Sequence, residues 1–120
     1  MPAPRILSIG TDSDLLCTRN MVLQRAGYVV AGATDLPFAI ELLRRVWFDL
    51  VILCHAIPRA KREQAVETIK QVRPNASVIA LRAGTEGFDA PVDASIESYN
   101  PETLLSSIAD VLNRPVRAAA

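Results

Sequence analysis

The chain has 120 residues, half of them apolar, with 13 basic and 13 acidic side chains. This length suits a single domain over residues 1–120, and a domain of this size buries roughly 65% of its unfolded surface, enough for a real core. The neutral balance argues against a protein held on nucleic acid by charge, because such binding rests on many Lys or Arg contacts to phosphates. No apolar run is long enough to span a bilayer, and Met1-Pro2-Ala3-Pro4-Arg5 opens directly into a strand-like segment. Neither a membrane span nor a signal peptide is therefore expected. Cys17 and Cys54 each lie in an apolar stretch, which predicts buried thiols in a reducing cytoplasm rather than a disulfide framework.

Strand-like and helix-like segments alternate along the chain. Arg5–Ile9 is a short apolar run. Ser13–Gly27 has helical spacing, with Leu15, Val22 and Ala26 on one side, Leu16 and Leu23 beside them, and Gly27 as the stop. Tyr28–Ala33 is β-branched and apolar. Asp35 can cap a helix with Pro37 in its first turn and an inward stripe of Leu42, Leu43 and Val46. Asp49–Leu53 is the central strand. Ala60–Val72 carries Ala65, Ile69 and Val72 at helical spacing, and Pro74 ends it. The basic cluster Arg59-Lys61-Arg62 at its start, followed by Glu63, reads as a solvated helix start. Ser77–Leu81 is another apolar run and Asp93–Ile96 a weaker one. Asn100 can cap a last helix with Pro101 at its first position, and Leu104, Leu105, Ile108 and Leu112 face inward. The core is expected to span about 5–113, with 114–120 as a frayed tail.

Five strands with intervening helices imply right-handed βαβ units and a parallel sheet covered on both faces. One helix is short of room. Residues 82–92 contain Gly84, Gly87 and Pro91, which leaves a loop with at most one helical turn.

The run Asp49-Leu50-Val51-Ile52-Leu53-Cys54-His55-Ala56-Ile57-Pro58 resembles the third strand and following loop of the receiver domains of bacterial response regulators. The resemblance covers about residues 5–113. It implies a flavodoxin-like, doubly wound α/β fold with strand order 2-1-3-4-5, the fourth helix shortened or absent, and a functional crevice at the carboxyl ends of strands 1 and 3. In that family an aspartate at the end of strand 3 accepts a phosphoryl group; here the position is Cys54. The two carboxylates that hold Mg²⁺ fall on Gly10 and Thr11 within Ile9-Gly10-Thr11-Asp12-Ser13. The hydroxyl residue at the end of strand 4 falls on Arg82, and the lysine of strand 5 falls on Glu97. Pro58 matches the loop proline, and Tyr99 falls near the family's Phe. The scaffold matches while each catalytic position departs.

Those departures have consequences of their own. Mg²⁺ requires oxygen ligands, and Asp12 is the one carboxylate left at this crevice, where it can equally serve as a helix N-cap. Arg82 and Glu97, level with each other on neighbouring strands, are expected to pair. Cys54 and His55 are adjacent on an extended chain and so point to opposite faces, which disfavours an activated thiolate–imidazole pair. Cys54 packs as a small hydrophobe instead. Cys54, His55 and Asp12 lack the ligand spacing of zinc motifs, and Gly10-Thr11-Asp12 is not a glycine-rich phosphate loop. No metal, cofactor or catalytic residue is expected.

The sequence thus predicts a stand-alone, non-enzymatic pseudo-receiver in the cytoplasm. It would act through a protein partner, such as a histidine kinase or another signalling protein, without phosphorylation and without nucleic acid or membrane. A homodimer, if formed, would use a non-standard surface, with Phe88 and Ile96 left available by the short fourth-helix segment. The alternative is a receiver-fold module that senses redox state or a small ligand through Cys54 and the strand 1/strand 3 crevice.

Overall fold

The three central strands are buried almost from end to end because helices cover both of their faces. The computed structural model describes residues 3–54, 57–82, 92–97 and 100–113; the side chains of Arg59 and Glu97 also stand outside that description. Chain order is β1 (Arg5–Ile9), α1 (Ser13–Arg25), β2 (Val29–Ala33), α2 (Leu36–Arg45), β3 (Leu50–Leu53), α3 (Arg59–Val72), β4 (Ser77–Arg82), β5 (Ala94–Glu97) and α4 (Pro101–Leu112). The strands form one parallel sheet in the order β2-β1-β3-β4-β5. This is the doubly wound, flavodoxin-like fold that the receiver resemblance implies.

Alternation along the strands divides the core into two layers. Leu7, Ile9, Val51, Leu53 and Val78 meet Ala39, Leu43, Ala65, Val66 and Ile69 of α2 and α3. Ile6, Leu50, Ile52, Ile79 and Leu81 meet Leu23 of α1 and Leu104, Ile108 and Val111 of α4. Burying a Leu or Ile fully stabilises by about 1.5–3 kcal/mol, so each layer outweighs any single surface contact.

Local signals set the helix ends. Asp12, Asp35 and Asn100 accept backbone N–H groups at the starts of α1, α2 and α4. At the end of α1, Gly27 has φ +100. Its N–H donates to the Gln24 carbonyl at 3.0 Å, and the Tyr28 N–H donates to the Leu23 carbonyl at 3.2 Å. This pair of hydrogen bonds places a left-handed residue after the helix, which glycine adopts without a Cβ penalty. Arg73, just past α3, completes a different helix: its Nε donates to the Leu43 carbonyl at 2.6 Å and its Nη2 to the Arg44 carbonyl at 3.3 Å, both in the last turn of α2. The same guanidinium lies 5.7 Å from the ring centre of Trp47.

Several sequence expectations need correction. The inward stripe of α1 is Leu16, Arg19 and Leu23, while Leu15 and Ala26 are exposed and Val22 is half-buried. Two adjacent leucine–valine phases compete in this helix, and contact with the sheet selects the 16/23 phase. Cys17 consequently faces out and is exposed, not packed. Arg62 is buried, 1% exposed, rather than part of a solvated helix start; Lys61 alone of the described cluster keeps that role. Ile96 packs against the α1/α4 layer and is not left available. Val46 lies past the end of α2 as its C-cap. β2 and β3 begin one residue later than expected, β4 runs on to Arg82, and β5 is shifted by one. The loop expected over 82–92 falls mostly on 83–91, which with Phe88, the tail 114–120, His55 and Tyr99 lie outside the described residues. Among the described residues no helix is long and apolar enough to cross a membrane.

Candidate functional site

The ladders of β1 with β3 and with β2 each continue one residue past the strands. The Cys54 N–H donates to the Ile9 carbonyl at 2.9 Å, and the Gly10 N–H donates to the Ala33 carbonyl at 3.0 Å. Gly10 and Cys54 are thereby held side by side at the carboxyl edge of the sheet. A Cβ on Gly10 would sit 3.0 Å from Cys54 Cβ, 3.5 Å from its Sγ and 3.7 Å from Leu16 Cδ1. The closest of these atoms is fixed to the backbone of residue 54, so relief requires the two strand ends to move apart. Gly10 lets them close, and the Cys54 side chain, 1% exposed, fills the place.

The remaining expected positions surround this contact. Thr11 and Asp12 follow Gly10 and are exposed. Asp12 Oδ1 accepts from the N–H groups of Asp14 at 3.0 Å and Leu15 at 3.2 Å, so its carboxylate is engaged as the α1 cap. Arg82 and Glu97 end β4 and β5 as register partners. The backbone thus sets them level, as expected; the ion pair itself involves the Glu97 side chain, outside the described residues. His55 cannot be placed beside Cys54 for the same reason.

Two cationic residues at this edge were missed by sequence reasoning. Arg19, 8% exposed, reaches from α1 to place Nη2 3.7 Å from Cys54 Sγ. Its Nη1 is buried with no hydrogen-bond partner among the described residues. Arg62 reaches from α3 on the other side and donates through Nη1 to the Leu81 carbonyl at 2.9 Å. The signal for both was present. Positions 16, 19, 20 and 23 share one helical face, as do 62, 65, 66 and 69, so each arginine stands within an apolar stripe. Long arginine stems bury readily, and helix-start charge is a misleading cue.

The edge therefore gathers Arg19, Arg62 and Arg82. No group of three His, Cys, Asp or Glu able to hold a metal occurs among the described residues. A hard divalent cation needs oxygen ligands, and the Gly10–Cys54 contact supplies none from side chains. The donor set present does not fit Mg²⁺. It suits an anion better than a cation, because the Arg19 guanidinium stands beside the Cys54 sulfur.

No family model and no curated protein matches this chain. Solved structures do. A CheY-like response regulator receiver domain from Methanospirillum hungatei aligns with a TM-score of 0.82 at 22% identity, covering 92% of this chain and 94% of that one. The signal receiver domain of a LuxO-type repressor from Vibrio parahaemolyticus aligns at 0.81 and 22%, covering 93% and 92%. The response regulator TrrA of Thermotoga maritima, solved with Mg²⁺ and a beryllium fluoride, aligns at 0.80 and 21%, covering 90% and 98%. At these identities the likeness establishes the fold: this chain has the receiver-domain architecture of two-component response regulators.

Proposed function

We propose that this chain is a signalling module of receiver type that acts through a protein partner and without phosphoryl transfer. The observation that carries the reading is the closed Gly10–Cys54 contact, with a Cβ-to-Cβ distance of 3.0 Å for any side chain added at position 10. A receiver that accepts phosphate needs a carboxylate nucleophile and metal-binding oxygens in that place. Here a thiol, a glycine and the Arg19 guanidinium occupy it, and Asp12 is engaged as a helix cap. Receiver domains are in general signalling modules that interact with proteins such as kinases, and a histidine kinase or another signalling protein is the partner class proposed. The site residues of this reading are Cys54, Gly10, Thr11, Asp12, His55, Arg82 and Glu97, as a pocket that has become structural.

The test is incubation with acetyl phosphate and Mg²⁺, followed by intact mass measurement. No phosphoryl adduct is expected. Cys54→Asp alone is also expected to remain unmodified, because Gly10 and Thr11 still cannot hold the metal. An Mg²⁺-dependent adduct on the parent chain would overturn the reading. Capture of an interacting protein from the native cell, unchanged by acetyl phosphate, is the positive counterpart.

A further inference from the structure

Beneath α1 the sheet carries a polar cluster that the proposed signalling role does not use. Ser8, fully buried, lies on the same face as Ile6 and is level with Gly32 and Ile52. Asn20 covers Gly32: its Nδ2 stands 2.9 Å from where a Cβ on that glycine would be. Arg19 Nη1, Asn20 Oδ1 and Ser8 Oγ are all buried without a hydrogen-bond partner among the described residues. Buried polar atoms in native proteins are rarely left so, and an orphaned donor points to an acceptor that completes it. The Arg19 guanidinium is directed at one atom able to become such an acceptor by chemistry, the sulfur of Cys54 at 3.7 Å.

We infer that Cys54 is a redox modification site, oxidised by a peroxide to a sulfinate that Arg19 holds. The Cys54 thiol gives its proton to solvent base, and the resulting thiolate sulfur attacks one peroxide oxygen; the O–O bond breaks, an S–O bond forms and hydroxide leaves, with sulfur losing the two electrons that the peroxide gains. The hydroxide takes the sulfenic proton as water. The sulfenate repeats the step with a second peroxide, giving a sulfinate and water. The product is a buried anion. It gains charge-assisted bonds from Nη1, which lacks an acceptor among the described residues, and from Nη2. Burial selects the oxidant: at 1% exposure a bulky thiol reagent is excluded, whereas hydrogen peroxide needs only a small opening. Exposed Cys17 has no such selectivity. This inference is independent of the identity of the signalling partner, and its readout is oxygen rather than phosphate.

The experiment uses the full chain carrying Cys17→Ser. Hydrogen peroxide is added to the folded protein, and the peptide containing Cys54 is analysed by mass. A gain of two oxygen atoms on Cys54 is expected. Arg19→Met should lower the sulfinate yield about tenfold, as expected for a buried anion deprived of its partner, and Arg19→Lys should restore part of it. In denaturant the parent and the Arg19→Met variant should oxidise alike, which separates pairing from sequence context. No oxygen on Cys54 in the folded protein, or equal yields with and without Arg19, overturns the proposal. A second measurement does not depend on oxidation or on an Arg19 variant. Cys54→Asp places a fixed anion at the same point, and Cys54→Asn its neutral isostere; with Arg19 present the Asp variant should melt at or above the Asn variant. A lower melting temperature for Cys54→Asp would also overturn it.

Discussion

The two edges of the sheet differ in how their polar groups are satisfied. At the amino edge, Asp49 accepts from the Arg5 N–H at 2.8 Å and from Trp47 Nε1 at 3.3 Å. Asp93 accepts from the Val78 N–H at 2.7 Å and lies 3.4 Å from Lys70 Nζ, which itself donates to the Ala76 carbonyl at 2.8 Å. Carboxylates there tie strand starts to the preceding loops. Toward the carboxyl edge, the same sheet buries Arg19 Nη1 and Ser8 Oγ with no partner among the described residues. At one edge each of these carboxylates pairs with strand backbone. At the other, buried polar atoms stand without a partner among the described residues, and such atoms call for an explanation.

Substitutions at the two edges put this contrast to the test. The largest effect is expected from Gly10→Asp, which forces a Cβ against Cys54 and buries a carboxylate; a loss of about 3 kcal/mol in urea unfolding is expected, with Gly10→Ala costing less. A neutral Gly10→Asp would show that the carboxyl edge is open after all. At the amino edge, Asp93→Ala should cost about 2 kcal/mol, because it strands the Val78 N–H and removes one of the two partners of the Lys70 ammonium. An effect under half of that would remove the difference between the edges. Gly27→Ala, away from both, calibrates a backbone effect: φ +100 should make it cost about 1–2 kcal/mol by thermal melting. The smallest effect belongs to Arg19→Met. Replacing an incompletely satisfied buried cation by an apolar side chain of similar reach should leave stability within about 1 kcal/mol of the parent, or raise it. A large loss would mean that Arg19 is needed for folding.

The sequence reveals the sheet order and the caps more readily than the site. β1, β3 and β4 are legible because strands covered on both faces read as continuous apolar runs. Asp12, Asp35 and Asn100 are legible because a short acceptor before a helical pattern has one frequent use. The Gly10–Cys54 pairing is visible as a pair of departures from the receiver pattern, though its closeness is not, since no local rule says how near two strand ends come. Arg19 and Arg62 escape notice for a different reason. Charge assigns them to the surface and helical phase assigns them to the core, and only the packed sheet decides between the two. In α1 the doubled pairs Leu15-Leu16 and Val22-Leu23 blur that phase, so the inward arginine and the outward Cys17 are misread together.

Arg73 carries a consequence for the order in which the chain acquires its shape. The last turn of α2 exposes carbonyls that most helices satisfy with a neighbour in sequence or with water. In this chain their donor arrives 29 and 30 residues later. A chain emerging from the ribosome makes α2 well before it can close that turn. Until α3 has been synthesised and laid against the sheet, the end of α2 lacks that donor; once Arg73 docks across Leu43, Arg44 and Trp47, the two helices are fastened as one. The α2/α3 face is thus a unit of biogenesis, completed at its own far end rather than helix by helix.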